Sequence, residues 1–253
     1  MIYYHEAYPD LIKGEELDNY LAKGWFRMRE YISTESHLID HDIFTLNKVW
    51  WIRFILNELC ERKSHKQIRK NNKSFTHIIS DLAGINDNHG LLFEKYKSCI
   101  PFETYGDYYE AIWGDGGKNP YDTKCIEVYD ENKLIAVGIF DIGKITAEAI
   151  LHFYDPVYEK HSLGKYLVLL TADYLRENKF KFYYPGYVVC DKPRFNYKLF
   201  LGEEIAQYYE PEKDEWLFYN PSILNDKKYT DDEVIDFFVL TIKKGKKDEQ
   251  DVL

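Results

Sequence analysis

The sequence predicts an α/β protein built on a mixed, mostly antiparallel sheet with flanking helices. Three features predict it: a hairpin, a strand running through a glycine-bearing turn into an amphipathic helix, and a second strand after that helix. Residues 125–130 and 134–141 flank the polar turn Glu131-Asn132-Lys133 and read as the hairpin. The next strand, Thr146–Tyr154, puts Ala147, Ala149, Leu151 and Phe153 on one face by alternation, and Pro156 stops it. In residues 163–178, Leu163, Leu167, Leu170, Tyr174 and Leu175 recur at helical spacing, so the helix docks by that stripe. Its first turn leaves backbone N–H groups without partners, and Gly164 lets a ligand approach them, which favours anionic oxygens there. Residues 180–189, aromatic and β-branched, return as a buried strand.

Upstream the signals are weaker. Residues 49–59 are the most apolar run, but Arg53 and Glu58 interrupt it, so it reads as a core helix or strand and not a membrane span. Asn86-Asp87-Asn88-His89-Gly90 and residues 113–120 carry turn signals; the glycines near Lys118 lack the spacing of a phosphate-binding loop. No internal repeat or low-complexity segment is present. The chain therefore divides into an N-terminal region (1–85), a core (86–225) and a C-terminal helix with a charged tail (226–253).

The strand, turn, helix and strand resemble the acyl-donor half of the GNAT N-acyltransferases. Phe153-Tyr154-Asp155-Pro156, Ser162-Leu163-Gly164-Lys165-Tyr166 and Tyr183-Tyr184-Pro185-Gly186-Tyr187-Val188 resemble the F-Y-D-P, S-L-G-x-Y and Y-x-L-G-Y-x-I blocks of the arginyl/leucyl-tRNA-protein transferases. Residues 134–141 are similar to that family's L-x-A-V-x-x-x-D strand, and Tyr197-Lys198 to its x-Y-K. Residues 20–27, ending in Trp25-Phe26-Arg27, and Ser64-His65-Lys66-Gln67-Ile68-Arg69 are looser matches upstream. The resemblance covers roughly residues 20–202, in the family's order. It implies a GNAT-like aminoacyltransferase that moves an amino acid of the arginine or leucine class from tRNA to the N-terminal amine of an acceptor protein, of the N-degron type. It also implies substrate contacts at Ser162, Leu163, Gly164, Lys165, Tyr166, Gly186, Lys198 and Arg27. Two departures are plain: the family's N-terminal cysteine cluster has no counterpart, and Pro185 replaces the usual leucine before glycine. Cys60, Cys99, Cys125 and Cys190 are far apart and form no ligand pair, so neither metal nor cofactor is expected.

Composition sets the bounds. A chain of 253 residues, 45% hydrophobic and 17% aromatic, holds a full core. It has no apolar run long enough for a span, and a start carrying Glu6 and Asp10 does not read as a signal peptide, so a cytoplasmic protein with reduced cysteines is expected. A net charge of −10 opposes nucleic acid as a partner. Against it stands a basic run, Arg62, Lys63, Lys66, Arg69, Lys70 and Lys73, which is either a solvated face or a track for an RNA backbone through Lys66, Arg69 and Lys70.

An aminoacyl-tRNA ester is already activated, so the enzyme has chiefly to hold a free α-amine, of pKa about 7.7 to 8.0, against its carbonyl. A weak base and an oxyanion donor supply the rest. Candidates at the ends of the two strands are Asp141, Tyr154, Asp155, Tyr183, Tyr184 and Tyr187, with Asp141, Tyr154, Tyr184 and Tyr187 taken as catalytic. Each tyrosine has an alternative role in packing. Asp141 ends an apolar strand either as a turn-former or as the ligand of a cation, such as the ammonium or guanidinium of the transferred residue. His37 and His41, four apart beside Asp40 and Asp42, lack a third zinc ligand and read as a polar loop. Lys198 is either an exposed lysine or a contact to phosphate or an acidic acceptor. An acyl-CoA-dependent N-acyltransferase and a catalytically silent tRNA- or degron-binding module are the alternatives; Tyr166, where the CoA-binding loop needs a small residue, disfavours the first.

Overall fold

The computed structural model describes residues 2–40, 45–82, 86–100, 105–114, 118–225 and 229–245. His41, Asp42, the boundary at 85, residues 115–117 of the glycine loop and the tail from 246 lie outside the described residues. The elements run β1 (Tyr4–Ala7), α1 (Glu15–Ala22), β2 (Phe26–Met28), β3 (Tyr31–Glu35), β4 (His37–Asp40), β5 (Thr45–Ile55), α2 (Lys63–Asn71) and β6 (Thr76–Asp81). Then follow α3 (Asp87–Lys97), α4 (Tyr108–Trp113), β7 (Thr123–Asp130), β8 (Lys133–Ile142), β9 (Thr146–Tyr154), α5 (Leu163–Glu177), β10 (Phe182–Val189), β11 (Ala206–Glu210), β12 (Glu215–Phe218) and α6 (Asp231–Gly245).

The main sheet is ordered β12-β11-β5-β10-β9-β8-β7-β6, with β4 on β5, and β1-β3-β2 form a small second sheet. The hairpin forms as β7 and β8, with Glu131 at φ 53 in its turn. The pair β9–β10 is the parallel one, joined by α5 as a crossover, and the other described pairs are antiparallel. Of the apolar run 49–59, residues 49–55 lie in the strand β5, placed between β10 and β11, and Leu56–Glu58 form a short 3-10 turn, so the region before residue 86 lends strands to the same sheet as the core.

Helix α5 docks by the predicted stripe: Leu163, Leu167, Leu170 and Leu175 are buried against Phe140, Ala147 and Tyr183. Strand β9 departs from the predicted alternation. A register shift pairs Phe140 with Ala149 but Ile139 with Leu151, and this one-residue bulge turns the rest of the strand over. Ala147 and Ala149 face α5, whereas Leu151 and Phe153 pack on the opposite side with Phe93 of α3 and Tyr108 of α4. The supposed turn at residues 86–90 is instead the start of α3, where the Asn86 side chain accepts the Asn88 N–H at 3.0 Å. His37 likewise stands in a strand and not in a polar loop, its ring nitrogens 2.7 Å from Ser36 Oγ and 2.7 Å from Tyr229 Oη.

Candidate active site

Strands β9 and β10 pair over Phe182–Tyr184 and Thr146–Glu148 and no further, so their later halves diverge. β10 also bulges against β5 between Tyr183 and Gly186. Gly186 has φ +100, a backbone that side chains rarely adopt, and a Cβ there would lie 2.8 Å from Lys198 Nζ. The ammonium thus lies against bare backbone, 4.3 Å from the centre of the Tyr187 ring. Lys198 is half-buried with no carboxylate partner among the described residues, and the loss of water pushes its pKa down to about 8. Across the wedge, the β9 bulge turns Tyr154 toward α5, where a Cβ on Gly164 would touch its ring edge at 3.7 Å. Tyr96 of α3 stacks obliquely on Tyr154 at 5.3 Å, and burial beside the Tyr154 and Tyr197 hydroxyls pushes it to about 12. Tyr183 Oη is buried with no hydrogen-bond partner among the described residues.

Beneath this wedge starts α5. Ser162 holds a left-handed backbone (φ 53, ψ 47), and its side chain makes no cap, so the N–H groups of Leu163, Gly164 and Lys165 have no partner among the described residues. Lys165 is exposed, 5.4 Å from the Phe200 ring, and Tyr166 turns away to line a separate 270 Å³ pocket with Arg69 and Asp173. Asp155 is a structural anchor: buried, it accepts the Val157 N–H at 3.1 Å and pairs Lys95 and Lys133 at 2.7 and 2.8 Å.

A second group lies on the sheet's other face. Register aligns Thr123, Asp141, Glu148 and Tyr184 across β7, β8, β9 and β10, with Arg53 and Gln207 continuing the row on β5 and β11. Arg27 of β2 closes over it: Nη1 donates to both Asp141 oxygens at 3.0 and 2.9 Å and to Thr123 Oγ1 at 3.1 Å, with Nη2 on the Ile112 carbonyl and the Tyr121 ring 4.4 Å away. The side chains of Arg27 and Asp141 are both 0% exposed. The cation that Asp141 holds is therefore the chain's own, and no open space reaches it. Glu148 accepts the Arg27 N–H at 3.1 Å through Oε2 but has no partner for Oε1; burial, then the Asp141 charge, push it up to about 8. Tyr184 is wholly buried, 3.5 Å from Arg53 Nη1.

The structure thus places Tyr154 beside Gly164 and, separately, Gly186 and Tyr187 beside Lys198, and sets Arg27, Asp141 and Tyr184 apart in a sealed row. The basic run forms α2 on the surface. Lys66 and Lys70 are exposed, but Arg69 is held by Asp173 at 2.5 and 2.8 Å and by Glu61 at 3.2 Å, and Arg62 by Glu204. Glu148 escaped the sequence reading although a carboxylate between Ala147 and Ala149 in an apolar strand marks it. Among the described residues no group of three or more His, Cys, Asp or Glu is arranged to hold a metal, and no helix is long and apolar enough to cross a membrane.

The family model for the arginine-tRNA-protein transferase C terminus matches residues 58–208. The aspartate/glutamate leucyltransferase of Campylobacter jejuni (strain 81-176) is 26% identical over 194 residues, 73% of this chain and 77% of that protein. That of Shewanella sp. (strain ANA-3) is 37% identical over 156 residues, 58% of this chain and 62% of that protein. The arginyl-tRNA–protein transferase 1 of Saccharomyces cerevisiae is 36% identical over 77 residues, 30% of this chain and 15% of that protein. With a match over more than half its length that includes the whole of β9, α5 and β10, the chain belongs to the arginine-tRNA-protein transferase family and is an aminoacyltransferase.

Proposed function

We propose that the chain transfers an amino acid from aminoacyl-tRNA to the N-terminal amine of an acceptor protein, with the ester bound in the wedge between β9 and β10 of a GNAT-like core. The observation that carries this reading is the divergence of those strands above the uncapped, glycine-bearing start of α5. The free N–H groups of Leu163, Gly164 and Lys165, with the helix dipole behind them, take the terminal phosphate of the donor. Tyr154 and Tyr187 form the walls. The acceptor amine attacks the ester carbonyl, the C–O bond to the ribose breaks, the amide forms, and the proton lost by the amine goes to the departing ribose oxygen. Holding the two groups together is the larger part of that catalysis. Lys198, a half-buried cation lacking a counter-ion among the described residues, takes the anionic side chain of the acceptor's first residue.

Residues 86–225 form the transferase core in this reading, 1–85 supply β5, β6 and the cover over the polar row, and 226–253 add α6 and the tail. The reaction belongs in the cytoplasm, where charged tRNA is found. A Cβ at Gly164 makes only an ordinary 3.7 Å contact, so Gly164→Val retains the fold while its methyls stand in the donor's path. Aminoacyl-tRNA binding should weaken by at least tenfold at unchanged melting temperature. Equal affinity in the folded variant would remove the donor from this site.

A further inference from the structure

At the far end of α5, where β5 ends and β10 begins, lies an open cleft of about 630 Å³. Among the described residues its charged lining is Arg53, Arg176, Lys179 and Lys181, with no carboxylate. None of the four has an ion-pair partner among the described residues, in a chain of net charge −10 where Arg29, Arg62 and Arg69 on the surface are each paired to an acid.

Two details of the cleft bear on what it can hold. Arg53 is held edge-out: its guanidinium is clamped between the Phe182 and Trp216 rings at 4.2 and 4.5 Å, and Nε donates to Gln207 Oε1 at 2.8 Å. Nη2 has no acceptor among the described residues, so one side of a planar fork is fixed and vacant. Lys179 stands at φ +62, the position after α5 where the Phe180 N–H reaches Leu175 O at 2.9 Å and the Lys179 N–H reaches Arg176 O at 3.0 Å. Glycine fits that helix-ending backbone best, yet the chain has a lysine there, and that lysine lines the cleft.

We propose that this cleft binds the phosphodiester backbone of the tRNA, as a second contact apart from the wedge. The inference rests on the function proposed above. Four cations exceed what one carboxylate needs and suit successive phosphates. Arg176 lies twelve residues along α5 from Gly164, a separation of about 18 Å at 1.5 Å per residue, which the arm of one RNA spans while its end occupies the wedge.

The test compares the full chain with Arg176→Gln/Lys179→Gly/Lys181→Gln, and with a charge-matched control, Lys13→Gln/Lys118→Gln/Lys213→Gln. Glycine at 179 relieves the left-handed backbone, so the first variant folds. Binding of uncharged tRNA is followed from low to high salt, with an Asp-starting peptide titrated in parallel. The cleft variant should bind tRNA at least tenfold more weakly at low salt, and its slope of log affinity on log salt should flatten by roughly 2 to 3, at about 0.7 to 0.9 per lost contact; the control should keep the native slope. An unchanged slope, an equal loss in the control, or a loss confined to the peptide would each overturn the cleft assignment and leave the wedge intact. Absence of tRNA binding by the unaltered chain would overturn both.

Discussion

Asp141 and Glu148 are cross-strand neighbours, yet Arg27 is one cation for two carboxyls. The guanidinium sides with Asp141, and Glu148 stays protonated at neutral pH because burial and its neighbour's charge hold it at about 8. Asp141→Asn leaves Arg27 buried without its partner and should cost about 3 to 5 kcal/mol of stability. Because the pair is sealed, transfer from a basic and from an apolar aminoacyl-tRNA should fall together; a loss confined to the basic donor would show that Asp141 reads the amino acid after all. Glu148 gives a pH signature. Its folded pKa lies above an unfolded value of about 4.3, so between that value and about 8 the unfolded chain ionises first, and stability falls as pH rises. A shift of that size corresponds to at most roughly 5 kcal/mol. Glu148→Gln should remove the fall, gaining on the native protein from pH 5 to pH 8 in urea unfolding. An identical gap at both pH values would mean the native carboxyl ionises freely.

At the scale of elements, the hairpin, β9, α5 and β10 were legible because each carries its own period and terminator: the stripe of α5, Pro156 after β9, the polar turn after β7. Which way a strand faces was not. The β9 bulge adds one residue without marking the sequence, and it alone turns Tyr154 toward α5. Asn86 looked like a turn because asparagine serves turns and N-caps by the same side-chain hydrogen bond. In the basic run the six cations looked equivalent, but tertiary pairing with Asp173 and Glu204 removes Arg69 and Arg62 from the free set. If α2 meets the tRNA, Lys66→Gln/Lys70→Gln should flatten the salt dependence of tRNA affinity by roughly 1.4 to 1.8, two contacts' worth. The same slope before and after would make α2 a solvated face.

For the whole molecule, the sequence carried the family through short blocks that fall on β9, α5, β10 and the turn after β10, which in the proposed function frame one wedge. The wedge itself was half visible. Gly164, Gly186 and Lys198 were legible as motif residues, but the Tyr154–Gly164 and Gly186–Lys198 contacts depend on two bulges and a positive φ that no local pattern encodes. The sealed row was hidden because its members come from distant segments, residues 27, 123, 141, 148 and 184, aligned by register alone. Charge was misleading as a total: a chain of −10 leaves cations clustered at the far end of α5 and on α2, so net repulsion and local attraction coexist. The central claim is the transfer itself, and mass spectrometry tests it most directly. The unaltered protein and Lys198→Gln are incubated with a mixture of charged tRNAs and peptides that begin with Asp or Ala, each with its α-amine free or acetylated. One amino-acid residue should be added to the free amine of the Asp-starting peptide, fed by tRNA and not by acyl-CoA, with the preference for Asp over Ala lost in Lys198→Gln. No addition from any charged tRNA, or modification of the acetylated peptide as well, would contradict the account.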